Sequence, residues 1–281
     1  MFNKLIKDDR ILVLGATGWF GRTLMSMIPS HVDVMGVASS PRGDIKTWDE
    51  RAIAKFSPTI VANFSFLTRE KINHVGEASF RSVNKQLGEQ FLIAANSPQV
   101  RAALTISSGA AVVDSASVYG EMKLHEEMSS LTLNSDSKSV VVGRAYSVSG
   151  PFVRNPFDYA FSDFILQAAS GNISIKSRCL TYRRYVSVSD FLAVCMFRVL
   201  SGWSGVIESG GDLMELGELA ETIRDVVNPS ALIRRVTPIL DPPSIYASDN
   251  SSWLQACNVT GFVPADLRSQ IQLTAEELLN R

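Results

Sequence analysis

Between residues 10 and 28 the chain reads RILVLGATGWFGRTLMSMI: an apolar run of strand length, glycines at 15, 18 and 21, then a run of helical period. That order confines the N-terminal segment to a strand turning sharply into a helix. The alternation continues. VDVMGVAS, TIVANFSF, RAALTISS and SVVVGRAYSV read as further strands, with helical segments between them, among them SVYGEMKLHEEMSSL. In EASFRSVNKQLGEQFLIAAN, residues Phe80, Val83, Leu87, Phe91 and Ala94 recur at helical spacing and predict one buried face. Strands apolar on both sides and separated by helices predict an α/β chain with a doubly wound parallel sheet. After SGPFVRNP the rhythm changes. A boundary near residue 150 is expected, giving an N-terminal domain at 1–150 and a smaller C-terminal lobe at 151–281 that partly returns to the core. A helix is expected near DYAFSDFILQAASG, and DPPSIYASDNSS reads as a surface connection.

The glycine spacing has a mechanical meaning in a Rossmann sheet. Gly15 permits the sharp bend, Gly18 lets backbone approach a pyrophosphate, and Gly21 lets the helix pack on the strand. Thr17, Trp19 and Phe20 fill the turn, and the phosphate would rest on the helix N-terminus. A tight turn alone would also use glycine, but the strand before and the helix after supply the context the cofactor motif demands. At the end of the second strand VASSPRGD offers Ser39, Ser40 and Arg42 and no acid, which favours NADP while leaving NAD possible. Arg22 could add a second positive charge, although arginines at turns are commonly just solvated. Asp44 and Ile45 follow closely enough to meet an adenine ring, or to be a loop acid and a core aliphatic.

Tyr119 and Lys123 are four residues apart and would share one helix face. A nearby ammonium and a cationic nicotinamide would both favour the phenolate, drawing a group of reference pKa about 10 toward neutral pH. Ser107 and Ser108 fall at the C-terminal end of the preceding strand, where open α/β sheets bind ligands. A hydroxyl there can hold the oxygen that the phenol protonates. A solvated helix carries this tyrosine and lysine spacing by chance, so the assignment leans on the glycine turn upstream.

Other classes are disfavoured. The formal net charge of −1 over 281 residues gives no footprint for nucleic acid. Cys179, Cys195 and Cys257 are odd in number and far apart, and His31, His74 and His125 show no ligand spacing, so neither a disulfide framework nor a metal site is expected. No apolar run reaches the roughly 18 residues of a membrane span, and no targeting segment is evident, so a cytoplasmic protein is expected.

Taken with their order, GATGWFG, GDI, TIVANFSF, SVNKQLGEQFLIAA, ISSG, YGEMK, GRAYSVSGP and YRRYVSVSD resemble the extended short-chain dehydrogenase/reductase superfamily. Within it the chain resembles the NAD(P)-dependent epimerase/dehydratase family, which acts mainly on nucleotide sugars, over nearly its whole length. The resemblance implies Ser108, Tyr119 and Lys123 as catalytic residues, with Ser107 the fallback serine. It implies Thr17, Trp19 and Phe20 of the turn, Phe64, Ser65, Phe66, Asn84, Tyr119 and Tyr146 along the cofactor, with Lys123 on the nicotinamide ribose, and Arg183, helped by Arg178, at the nucleotide diphosphate. Departures are also visible. The connection from Ser108 to Tyr119 is short for the family, Gly109 and Ala110 replace the acid pair of its dehydratases, Arg184 stands at a usual aspartate and Ser147 at a common asparagine.

The implied activity is hydride transfer at a sugar carbon, with a 4-keto-sugar reductase the first expectation. A nucleotide-sugar epimerase retaining bound NAD and a non-enzymatic dinucleotide sensor are the alternatives. Polysaccharide or antibiotic sugar synthesis and a homodimer are implied by resemblance only.

Overall fold

The computed structural model describes residues 4–236 and 242–280. Its elements run β1 (Arg10–Leu14), α1 (Trp19–Met27), β2 (Asp33–Val37), α2 (Glu50–Phe56), β3 (Ile60–Asn63), α3 (Ile72–Val75), α4 (Glu77–Ala95), β4 (Ala102–Ser108), α5 (Ala110–Val113), α6 (Val118–Leu131) and β5 (Ser139–Ala145). There follow β6 (Ser147–Ser149), α7 (Ala160–Ala169), β7 (Asn172–Ile175), β8 (Thr181–Ser187), α8 (Val188–Leu200) and β9 (Gly205–Glu208). The chain ends with β10 (Leu213–Glu215), α9 (Leu216–Val227), β11 (Leu232–Arg235), β12 (Ser244–Tyr246), α10 (Ser251–Thr260) and α11 (Leu267–Leu279). These fall into two compact units, residues 4–145 with 192–207, and residues 146–191 with 208–236 and 242–280.

The first unit is built on a six-stranded parallel sheet of order β2-β1-β3-β4-β5-β9. Ile11, Leu12, Val13, Ile60, Val61, Ala62 and Leu104 are fully buried, because helices cover both faces of strands that are apolar on both. Leu12, Leu14, Val37, Ile53, Val61, Phe91 and Ala103 form one core cluster. The order reverses at β1, which has β2 on one side and β3 on the other, and this switch point is where such sheets bind ligands. The sixth strand, β9, comes from beyond residue 200, so a segment remote in sequence completes the sheet.

Two sequence expectations are corrected. Val83 is exposed, and Asn84 takes the buried position one residue on, because its side chain accepts from the Leu67 N–H at 2.7 Å. The stretch DPPSIYASDNSS contains β12, which pairs in parallel with β8; Asp241 lies outside the described residues. A short strand flanked by serines and prolines carries too little periodicity to announce itself.

The second unit centres on β8, paired antiparallel with β10 and parallel with β12 and β6, beside a separate β7–β11 pair. Glu215 ties several of these pieces. It caps α9 through Gly217 in a capping box with Glu218, accepts from the Thr181 N–H at 2.9 Å, and receives the Arg235 fork at 2.5 and 2.7 Å. Burial pushes the Glu215 carboxyl up, but the Arg235 fork and the two backbone donors outweigh it and hold the group at about 2, against an ordinary 4.5. A depressed carboxylate contributes stability above its unfolded value and loses it as pH falls through the folded one. Acid titration of unfolding free energy should therefore show a contribution of about 3 kcal/mol disappearing between roughly pH 4.5 and 2. Glu215→Gln should lack that component; an unchanged acid limb would count against the assignment.

Candidate active site

The glycine turn sits at the switch point. Gly15 has φ +75°, and its N–H and that of Ala16 donate to the Val37 carbonyl at 2.8 and 3.1 Å. A Cβ on Gly15 would lie 2.5 Å from the Phe64 carbonyl carbon, and one on Gly21 would lie 2.3 Å from the Gly15 oxygen. Gly18 caps α1 without any side-chain hydrogen bond, and the first turn of α1 carries no acid. Its terminal N–H groups and dipole are thus presented to an anion with no competing carboxylate. Phe20 stacks on Phe64 with ring centroids 6.1 Å apart and tilts against Trp19 at 6.5 Å, while Thr17, just before Gly18, is half-buried.

Beyond β3, the Ser65 N–H and hydroxyl both donate to Asn63 Oδ1, at 3.1 and 2.5 Å. Among the described residues, two buried polar atoms of the same unit, Asn84 Nδ2 and Ser107 Oγ, have no hydrogen-bond partner. Orphaned donors are costly unless something else satisfies them. The glycine cradle and these two atoms fit a bound dinucleotide.

At the other end of the turn, β2 stops at Val37 with no acid, and Ser39, Ser40, Arg42 and Asp44 are exposed. Arg42 and Ile45 exchange backbone hydrogen bonds at 3.0 Å around Gly43, whose φ is +58°. Ile45 packs under β2, where a Cβ on Gly36 would meet its Cγ1 at 3.2 Å. Arg22, in the second turn of α1, is half-buried.

The tyrosine and lysine lie on α6. Ser117 caps this helix, accepting from the Gly120 N–H at 3.1 Å and donating to the Asp114 carbonyl at 2.8 Å. Gly120 is required where α5 meets α6: a Cβ there would lie 2.1 Å from the Asp114 oxygen and 2.6 Å from the Ala110 oxygen. This contact sets Tyr119 in the first turn, and its phenol hydrogen-bonds the Ser108 side chain at the end of β4. Ser108 Oγ also accepts from the Ala110 N–H at 3.2 Å. Of the two candidate serines, Ser108 reaches the phenol, whereas Ser107 is buried. The Phe66 ring meets Tyr119 edge-on at 5.8 Å, and the Arg69 guanidinium lies 5.2 Å from the Tyr119 ring centroid while pairing with Asp114 at 2.6 Å.

Lys123 is buried. Its Nζ donates to the Ile106 carbonyl at 2.9 Å and to Glu126 at 2.8 Å, and it lies 3.6 Å from the Phe66 ring centroid. The neighbouring Glu127 receives a bidentate fork from Arg144 at 3.0 and 2.6 Å, which ties α6 to β5. The sequence predicts a phenol lowered by the ammonium. In the chain alone the order is reversed: burial pushes the Tyr119 phenol above 10.0, the Ser108 bond draws it down, and Glu126 pushes it up again.

Tyr146, Arg178 and Arg183 belong to the second unit. Tyr146 donates its hydroxyl to Glu208 at 3.0 Å and packs on Tyr246 with centroids 5.2 Å apart. Arg183 sits 5.7 Å from the Tyr246 ring centroid and donates to the Tyr182 and Ser244 carbonyls. Arg178 is exposed on the connection between β7 and β8. Arg184, pointing the other way from Arg183 on β8, clamps the Gly211 and Ser248 carbonyls at 2.8 and 3.1 Å.

Sequence reading did not find Arg69, Glu126 or Tyr246. Each is a single polar or aromatic residue in an ordinary setting, and its role exists only through contacts made in the fold.

A parallel sheet with a glycine turn at its switch point is the arrangement that binds dinucleotides. The model for the NAD dependent epimerase/dehydratase family matches residues 11–205, and the chain belongs to that family. No curated protein matches the sequence. Among solved structures, a UDP-N-acetylglucosamine 4-epimerase from Methanobrevibacter ruminantium M1, in complex with UDP-N-acetylmuramic acid, superposes with TM-score 0.80 at 17% identity, covering 98% of this chain and 99% of that one. UDP-glucose 4-epimerase from Brucella ovis, in complex with NAD, gives 0.75 at 17% identity over 95% and 98%. TunA, an NAD-dependent NDP-hexosamine 5,6-dehydratase of tunicamycin biosynthesis, gives 0.74 at 17% over 97% and 98%. At such identities these likenesses establish the fold. Among the described residues no helix is long and apolar enough to cross a membrane.

Proposed function

We propose that the chain is an oxidoreductase of nucleotide sugars, exchanging hydride between a nicotinamide dinucleotide and a sugar carbon. The observation that carries this reading is the hydrogen bond between Ser108 and the Tyr119 phenol, with Lys123 buried one turn further along α6. In this reading a bound dinucleotide supplies or accepts the hydride. Tyr119 moves the proton at the sugar oxygen, and Ser108 holds that oxygen beside the phenol. Lys123 supplies positive charge behind the site, residues 1–150 carry the dinucleotide, and Arg183 of the remaining lobe neutralises the diphosphate.

Two outcomes share these parts. Epimerisation with retained NAD is supported by the 4-epimerases among the structural neighbours, two in complex with NAD and one with UDP-N-acetylmuramic acid. Reduction of a 4-keto sugar with NADPH is supported by the exposed Ser39 and Arg42 and the absence of an acid at the end of β2. Dehydration lacks its acid pair, since Gly109 and Ala110 follow Ser108.

The test is to incubate the purified chain with UDP-glucose, UDP-N-acetylglucosamine and a 4-keto nucleotide sugar, following nicotinamide absorbance and the sugar by NMR. Inversion at C4 without net change in absorbance identifies the epimerase; stoichiometric loss of NADPH identifies the reductase. Binding of dinucleotide with no turnover of any sugar would support the sensor, and failure to bind NAD or NADP would sink the reading altogether.

A further inference from the structure

We propose that Glu126 is a positioning residue of the catalytic centre, holding the Lys123 ammonium and offsetting its charge beside Tyr119. This rests on the oxidoreductase reading above, in which Tyr119 handles the proton. Glu126 is 8% exposed and Lys123 4%, so neither charge is dissipated by water. Solvated helix faces commonly carry a glutamate three residues after a lysine, but such pairs are exposed and loosely held. This one is different in kind. Glu126 Oε2 takes Lys123 Nζ at 2.8 Å, while its other oxygen accepts from Asn63 Nδ2 at 3.0 Å and Thr105 Oγ1 at 3.2 Å.

Every part of the carboxylate is therefore engaged, by three elements: α6 itself, the end of β3 and the middle of β4. Asn63 continues the connection, because its Oδ1 accepts from Ser65 in the turn after β3. The ammonium is equally confined. Two of its donors go to Glu126 and the Ile106 carbonyl, and the Phe66 ring face lies against it at 3.6 Å. An ammonium bonded in this way is anchored at its place, and the carboxylate that anchors it is one whose charge opposes the Tyr119 phenolate.

The other charged groups facing Tyr119 are Arg69 and Glu70, from the segment after β3, and Asp114, from the end of α5 and paired with Arg69; Ser108 faces it from β4. Arg69 favours the phenolate, and Glu70 and Glu126 oppose it. Burial first, then Glu126 and Glu70, hold the tyrosine in its proton-donating form until further positive charge arrives.

The experiment is a charge cycle read on the phenol itself. Wild type, Glu126→Gln, Lys123→Met and the double variant are titrated by the ultraviolet phenolate band within milliseconds of a pH jump, and the same chain carrying Tyr119→Phe is subtracted from each. Glu126→Gln keeps the shape and leaves the ammonium uncompensated, so the Tyr119 ionisation should fall by about one pH unit, a tenfold gain in phenolate at fixed pH. Lys123→Met should raise it, and the double variant should return toward wild type. A Glu126→Gln titration that superposes on wild type, or a downward shift that persists without Lys123, would overturn the proposal.

Should Glu126→Gln fail to fold, the Lys123→Met and double variants decide alone, through whether the first lies above wild type and the second close to it. Binding of NAD+ and NADP+ to the wild-type chain is measured in parallel. Loss of binding with an intact charge cycle would remove the oxidoreductase reading and leave the Glu126–Lys123 coupling standing.

Discussion

Replacing Tyr119 with phenylalanine is expected to lower turnover by about 10²–10⁴-fold, the range that a positioned proton donor contributes, while leaving dinucleotide affinity within about twofold. The substitution removes one oxygen and nothing else. The ring keeps its edge contact with Phe66 and its place beneath the Arg69 guanidinium, so the first turn of α6 has no reason to move. What disappears is the hydroxyl that Ser108 meets. Steady-state rates on whichever sugar the wild type turns over, set beside dinucleotide Kd from fluorescence quenching, separate chemistry from binding. Sustained turnover in the variant would mean that another group moves the proton.

The second large effect is expected at Gly15. An alanine there meets two independent penalties. A φ of +75° costs an L-residue about 1–2 kcal/mol, and the new Cβ would sit 2.5, 2.6 and 2.7 Å from main-chain atoms of Phe64 and Ser65. Backbone cannot rotate out of the way as a side chain can, so β1 and β3 must part at the switch point. Gly261 supplies the control: its φ is +64° and its ψ 20°, in the left-handed helical region, yet nothing lies within 4 Å of a Cβ built on it. Gly261→Ala should therefore lose only the conformational penalty, with dinucleotide affinity unchanged. Gly15→Ala should lose clearly more stability in urea unfolding, and at least roughly tenfold in dinucleotide affinity, or about 1.4 kcal/mol. Equal effects at the two positions would show that the close approach of Gly15 to β3 is unimportant.

The parallel sheet, the glycine turn and the tyrosine–lysine helix were legible in the sequence because each is local. A strand, a bend and a helix lie within 18 residues of one another at Arg10 to Ile28, and Tyr119 and Lys123 share a face by helical period alone. The parts that escaped are those made by distance. Asn63 and Glu126 are 63 residues apart and β9 joins the sheet from beyond residue 200, so no window of sequence contains either relation. Val83 misled for a related reason. Apolar periodicity assigns it to the buried face, and Phe80, Phe91 and Ala94 do lie there, but the polar Asn84 is held inward by a backbone donor on another segment while Val83 is left at the exposed margin. The upward push on the phenol was not legible because burial, its first cause, and the contribution of Glu126 exist only in the fold, whereas Lys123 is visible four residues along the helix.

The contact at Gly120 carries a consequence for how such a site can diversify. The atoms pressing on that glycine are the carbonyl oxygens of Ala110 and Asp114, which every amino acid possesses. The exposed side chains of Val112 and Val113 can consequently be exchanged without dislodging the phenol, so this short helix is open to drift while the placement of Tyr119 is inherited intact.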